Sequence, residues 1–134
     1  MKYLNDYMEE KQTKLFKKYK VFFAFNNKQF VEGMKKYKLP KDTKIVSLSN
    51  GMYCPEENAE NVVKKQLKMY QDAIKEDLKE NGKEKVILRE LCNHECFYVG
   101  SADECVKKLT DYPITEKEIV KVYRDNYKEQ SKYF

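Results

Sequence analysis

Tryptophan is absent from these 134 residues, histidine occurs once, and there are four glycines, three prolines and two arginines. Each shortage excludes something. With so few glycines the chain has neither a GxxxxGK[ST] loop nor a GxGxxG turn, the two backbone cradles that hold phosphate at a helix N-terminus. HExxH, GxSxG and the calcium-loop pattern are missing as well, so an enzyme is the less expected class. No apolar run approaches the roughly 20 residues needed to cross a bilayer. The opening MKYLNDYMEE has no apolar h-region, so no secretory signal and a cytoplasmic location are expected. No stretch rich in Gly, Pro or Ser marks a linker, and there is no internal repeat or low-complexity segment.

What is present is enough to fold. Hydrophobic residues make up 41% of the chain, too many for intrinsic disorder, and the length suits one domain spanning 1–134. All but two of the 27 basic residues are lysine, the exceptions being Arg89 and Arg124. With many tyrosines and asparagines, this is the composition an AT-rich genome encodes, so lysine by itself is weak evidence for a ligand. The charge is nevertheless lopsided. Residues 1–50 hold twelve lysines against five acids, a net +7, whereas the remaining residues sum to −2. A basic half of this kind steers toward nucleic acid, a nucleotide or an acidic protein face. The four cysteines, Cys54, Cys92, Cys96 and Cys105, are expected to be reduced in a cytoplasmic chain.

The patterning predicts a mostly helical α+β (or α/β) domain, with about six helices around a sheet of two or three strands. Leu4, Tyr7, Met8 and Leu15 recur at helical spacing over 2–18. VFFAF (21–25) reads as a buried strand, followed by a helix capped by Asn26 or Asn27 and ended before Pro40. KIVSLS (44–49) alternates as a second strand, and Asn50-Gly51 signals a turn. Pro55 fits the first position of a long helix reaching Asn81-Gly82, with Ala59, Val62, Val63, Gln66, Leu67, Tyr70, Ala73, Ile74 and Leu78 as an unbroken core stripe. KEKVILRELCN (83–93) places Val86, Ile87, Leu91 and Cys92 at helical spacing, though VIL alone could be strand, and CFYVG (96–100) reads as a short third strand. Ser101 with Glu104, and Thr115 with Glu118, are capping boxes opening two last helices.

Two stretches concentrate chemistry. LCNHECFY (91–98) places Cys92, His94, Glu95 and Cys96 within five positions. Zinc needs about four nitrogen or sulfur ligands in a tetrahedron. Cys92 and Cys96 stand four apart, on one face of a helix, while His94 would point away from both unless the helix ends near Asn93; Cys105 could come from the next helix and Cys54 from the turn before the long one. The usual pairing of two close cysteine pairs is missing, so packing cysteines is the stronger reading and Cys92, Cys96 and Cys105 are weak ligand candidates. A Cys-His nucleophile needs a base within hydrogen-bond reach, which this spacing does not supply.

KLFKKYKVFFAFNNKQF (14–30) interleaves Lys14, Lys17, Lys18, Lys20 and Lys28 with Phe16, Tyr19, Phe22, Phe23, Phe25 and Phe30. Lysines for phosphate and rings for stacking compose a nucleotide or nucleic-acid surface. The plainer reading is a core strand beside solvated lysines. Scarcity of arginine argues against base-specific DNA recognition.

FFAFNNKQF (22–30), SLSNGMYCPEEN (47–58), RELCNHECFYVG (89–100) and YPITEKEIVKVYR (112–124) together resemble a family of uncharacterised small proteins encoded by phages and mobile elements of low-GC bacteria. The family has no assigned activity, so the resemblance implies a setting and carries no catalytic residue. That setting is action against host defences or host machinery. The expectation is therefore a non-enzymatic accessory protein that binds and inhibits a host defence component, in the manner of an anti-CRISPR protein or by sequestering a nucleotide signal. The alternative is a nucleic-acid-binding accessory protein, and the third reading is a small metal- or thiol-dependent enzyme. Lys14, Lys17, Lys18, Lys20, Lys28, His94, Glu95 and Tyr98 are the candidate binding residues. No cofactor is expected. The expected partner is a host protein, a ribonucleoprotein complex or an anionic nucleotide, and not a membrane.

Overall fold

The computed structural model describes residues 1–130, as helices α1 (Leu4–Lys18), α2 (Asn27–Lys36), α3 (Glu56–Asn81), α4 (Lys83–Asn93), α5 (Cys96–Val99), α6 (Asp103–Lys108) and α7 (Glu116–Gln130), with strands β1 (Phe22–Phe23), β2 (Ile45–Ser49) and β3 (Met52–Pro55). The fold is mostly helical α+β. The chain divides into two compact units, Met1–Ala73 and Ile74 onward, with α3 beginning in the first and ending in the second. Among the described residues no helix is long and apolar enough to cross a membrane.

The first unit is built around the hairpin that Asn50-Gly51 permits. Gly51 sits at φ +80, a conformation only glycine adopts cheaply, and β2 and β3 run antiparallel on either side of it. The Ala24 N–H donates to the Gly51 carbonyl at 2.9 Å, which draws β1 alongside β3 and makes the order β1-β3-β2. Helix α2 starts where Asn26 Oδ1 accepts the Gln29 N–H at 2.9 Å while Gln29 Oε1 accepts the Phe25 N–H at 2.8 Å. That is a reciprocal cap, and it confirms Asn26 as the capping residue. The helix is then pulled onto β1, because the Tyr37 hydroxyl donates to the Val21 carbonyl at 2.9 Å. Val21, Met52, Cys54 and Val62 form the buried centre, with Phe16, Tyr19, Val46, Leu48 and Ala59 packed around it.

The second unit is all helix. Its core is Val86, Ile87, Leu91, Cys96, Phe97, Cys105, Leu109, Tyr112 and Ile119. The Phe97 ring stacks on Tyr123, centroids 5.3 Å apart and nearly parallel at 8°. The Thr115–Glu118 box forms as its sequence predicts, with the Glu118 N–H reaching Thr115 Oγ1 at 3.2 Å and the Thr115 N–H reaching Glu118 Oε1 at 3.0 Å.

Four expectations need correction. CFYVG is not a strand: Cys96–Val99 is a single helical turn. Glu95 in the left-handed region (φ 54) and Gly100 (φ +82) bend the chain on either side of it. The third strand is instead β3, where the Asn50-Gly51 turn sends the chain straight back along β2. Pro55 accordingly ends that strand opposite Ile45, and the long helix begins one residue later at Glu56.

The stripe on α3 is core only in part. Val62, Ala73 and Ile74 are buried, but Val63 and Leu67 are 54% and 56% exposed. At about 100° per residue, Leu67 lies roughly 140° from Val62, whereas Asp77 falls only about 60° from it, between Ala73 and Ile74. The buried arc therefore excludes a leucine and includes an aspartate. Finally, Ser101 does not cap with Glu104. Ala102 is the N-cap of α6, and Ser101 Oγ accepts the Asp103 N–H at 3.2 Å instead.

Candidate functional site

Alternation along Phe22–Phe25 points Phe22 and Ala24 inward and leaves Phe23 and Phe25 52% and 74% exposed. Phe16 on α1 meets Phe23 edge to face at 5.5 Å, and Phe22 contacts Phe30 and Tyr53 at 5.5 and 5.9 Å. Between α1, β1 and α2 these rings leave a cleft of about 480 Å³. Its lining combines Phe16, Phe22, Phe23 and Tyr37 with Lys17, Lys36, Gln29 and Glu32. The floor is set by glycine, since a Cβ at Gly33 would lie 2.3 Å from Phe22 Cδ2. Burial pushes the Tyr37 phenol up, so it stays a neutral hydrogen-bond donor.

Of the lysines singled out in the sequence, Lys17 lies in this cleft. Lys14 pairs with Glu10 at 3.5 Å on an exposed face, and the Lys18 ammonium rests 5.4 Å from the Tyr19 ring. Lys20 occupies a left-handed turn (φ 57), and Lys28 is exposed in the first turn of α2. None of those four lines the cleft. Lys36 does, and sequence reasoning missed it. The signal was its place three residues after Gly33 and seven after Gln29, on one face of α2.

The second unit holds a group of charges that sequence reasoning also missed. Asp77 on α3 is fully buried and receives both arms of Arg89 from α4, Nη1 to Oδ1 and Nη2 to Oδ2, each at 2.9 Å. The Tyr112 hydroxyl donates to Asp77 Oδ2 at 2.6 Å, and Asn81 Nδ2 to Oδ1 at 2.8 Å. Arg89 Nε donates to Glu90 Oε1 at 2.9 Å. Burial alone would raise the Asp77 pKa, but the donors from Arg89, Tyr112 and Asn81 outweigh it and hold the carboxyl below its ordinary value. Burial, then the hydrogen bond to Asp77, pushes the Tyr112 phenol well up. One available clue was the choice of arginine in a chain that otherwise uses lysine, because only a guanidinium grips a carboxylate with two parallel bonds.

His94 caps the end of α4, its N–H donating to the Glu90 carbonyl at 3.1 Å. Its Nε2 lies 3.4 Å from Glu90 Oε2, near enough for an ion pair when the ring is protonated, but neither atom has an aligned hydrogen-bond partner. The neighbouring Glu95 is exposed, and Tyr98 is 71% exposed on α5. His94, Glu95 and Tyr98 therefore share a helix junction in the second unit, while the lysines lie in the first. We expect His94→Ala to lower unfolding free energy by about 1 kcal/mol. Urea titration checks this cost.

Cys96 and Cys105 are buried, Cys54 is fully buried, and Cys92 is exposed. Burial, reinforced by Cys96 and Glu90, pushes the Cys105 thiol up to about 12, and burial raises Cys54 and Cys96 as well. Thiols held protonated in this way are poor nucleophiles and poor metal ligands. Among the described residues, no three His, Cys, Asp or Glu side chains converge to hold a metal ion.

No curated protein and no solved structure matches the chain. A family model matches residues 4–129, nearly the full length and both units of the fold. The chain therefore belongs to a family of unknown function, DUF7659.

Proposed function

We propose that the protein is a non-catalytic accessory protein of a phage or mobile element, which binds and inhibits a component of host defence through the cleft between α1, β1 and α2. The observation that supports this reading is the half-exposed Phe23 ring set in one cleft with Lys17 and Lys36. An aromatic face stacks on a planar group, and two ammonium groups beside it suit an anion. The net +7 of residues 1–50 draws such a ligand in. At about 480 Å³ the cleft has the size of a small-molecule site, so sequestration of a nucleotide signal fits it better than a flat protein face does.

The test is calorimetry against a panel of mono-, di- and cyclic nucleotides, run beside a phage-challenge assay in a host that carries a nucleotide-signalled defence. Phe23→Ala should weaken binding by about 1 to 3 kcal/mol, the worth of one stacked base. Lys17→Glu with Lys36→Glu should abolish both binding and protection, with the melting temperature nearly unchanged, because exposed lysines add little to folding. Protection that survives in both variants would place the working surface elsewhere.

A further inference from the structure

The turn between β1 and α2 presents an aromatic ring to water and holds it there. Phe25 is 74% exposed, but its backbone N–H is tied to Gln29 Oε1 at 2.8 Å. Its ring edge lies so close to the hairpin turn that a Cβ on Gly51 would overlap Cε1 and come within 2.8 Å of Cζ. One edge is seated, and the rest of the ring faces solvent. Beside it is a cavity of about 290 Å³ that shares no lining residue with the cleft. Three rings (Phe25, Phe30 and Tyr53) and three amides (Asn26, Asn27 and Asn50) line it. In a chain that is 37% charged, no lysine, arginine or carboxylate does. Asn26 Oδ1 is taken by the helix cap, whereas the Asn27 and Asn50 side chains have no hydrogen-bond partner among the described residues.

We infer that this cavity takes one unpaired adenine base, stacked on the open face of Phe25 and read along its edge by Asn27 and Asn50. A ring already seated at one edge loses little freedom when a base covers it. An amide sets an acceptor beside donors, and adenine answers with the N6 amino group beside the N7 acceptor. Guanine sets two acceptors, O6 and N7, along the same edge, and its usual partners are arginine and lysine, which the lining lacks. A phosphate would likewise find no cation here. The cavity stands at the low end of ligand sites, about 300 Å³, which suits a single base. Free adenosine and an adenine in a single strand present the same stacking face and edge, so the chemistry covers both sources.

Calorimetry with adenosine, guanosine, short oligo(dA) and short oligo(dT) tests this. Adenosine should bind, and guanosine should bind at least several-fold more weakly. Phe25→Ala should weaken adenosine binding by about 10-fold or more, the worth of one stacked base. Phe25→Tyr should keep most of the affinity. Asn27→Asp with Asn50→Asp keeps the shape and the Asx-Gly turn but removes the donors to N7, so adenosine should weaken several-fold at an unchanged melting temperature. Oligo(dA) binding far more tightly than adenosine and oligo(dT), and falling steeply with salt, identifies the source as a strand. Equal affinity for adenosine and oligo(dA) identifies it as the free nucleoside. No binding of either at millimolar concentration, the range of weak association, overturns the inference. So does equal affinity for adenosine and guanosine, or a folded Phe25→Ala chain that binds adenosine as wild type does.

Discussion

Arg89→Ala is expected to cost about 3 to 5 kcal/mol of folding stability, because it leaves a buried charge unpaired. The substitution removes the two 2.9 Å bonds that neutralise Asp77 and the third that holds Glu90 Oε1. Asp77 would remain fully buried with only the neutral donors Tyr112 and Asn81. A loss of that size is a large part of the 5 to 15 kcal/mol typical of a domain. Arg89→Lys should recover only part of it, because one ammonium cannot replace a planar fork. Replacing both partners, as Asp77→Leu with Arg89→Met, should be milder than Arg89→Ala, since the buried Asp77 charge goes with its partner and only Glu90 Oε1 loses a donor. Urea unfolding followed by circular dichroism measures all three, and a cost under about 1 kcal/mol for Arg89→Ala would show that the charges are not what holds α3 to α4.

The same group fixes the direction of the pH dependence. Asp77 is depressed in the fold, so its contribution is complete above the unfolded carboxylate value of about 4. That contribution is lost as pH falls through the lower folded value. Tyr112 is raised, so its contribution is complete below about 10 and is lost as pH rises beyond that. Unfolding midpoints measured from acid to alkaline pH should fall at both ends. Tyr112→Phe should flatten the alkaline side.

Gly33→Ala is expected to destabilise the first unit by about 1 to 3 kcal/mol, against the usual trend. In an ordinary helix the change gains up to about 1 kcal/mol, because alanine is the better helix former. Here the new methyl would meet Phe22 Cδ2 at 2.3 Å and Cγ at 2.7 Å, and Phe22 is itself held between Phe30 and Tyr53. The ring cannot retreat without disturbing that aromatic group. Adding Phe22→Leu should restore most of the loss if contact between α2 and β1 is the cause, and thermal melts of the single and double variants decide it. Both residues line the cleft, so Gly33→Ala should also weaken binding of the nucleotide proposed for it.

Much of the architecture was legible because its causes are local. Asn26, one of the two capping candidates, Thr115 with Glu118, and Gly51 each act within a few residues, and each does in the fold what its sequence predicts. The apolar spacing of α1, α2, α4 and α7 is likewise a property of single segments, and so is the concentration of lysine in the first fifty residues. Tertiary structure decided the remainder. Cys96–Val99 has the composition of a strand, but pairing needs a neighbour, and the nearest backbone belongs to helices, so it closed as one turn. Met52–Pro55 has weak strand character and became β3 because the hairpin laid it along β2. Lys17 and Lys36 belong to different helices, and only the packing of α1, β1 and α2 puts them in one cleft. Asp77 and Arg89 stand twelve residues apart, with Tyr112 thirty-five from Asp77. Each looks like a solvated surface residue in its own segment, and only the packing of the helices removes the water that would otherwise satisfy it, leaving each charge the other as its partner.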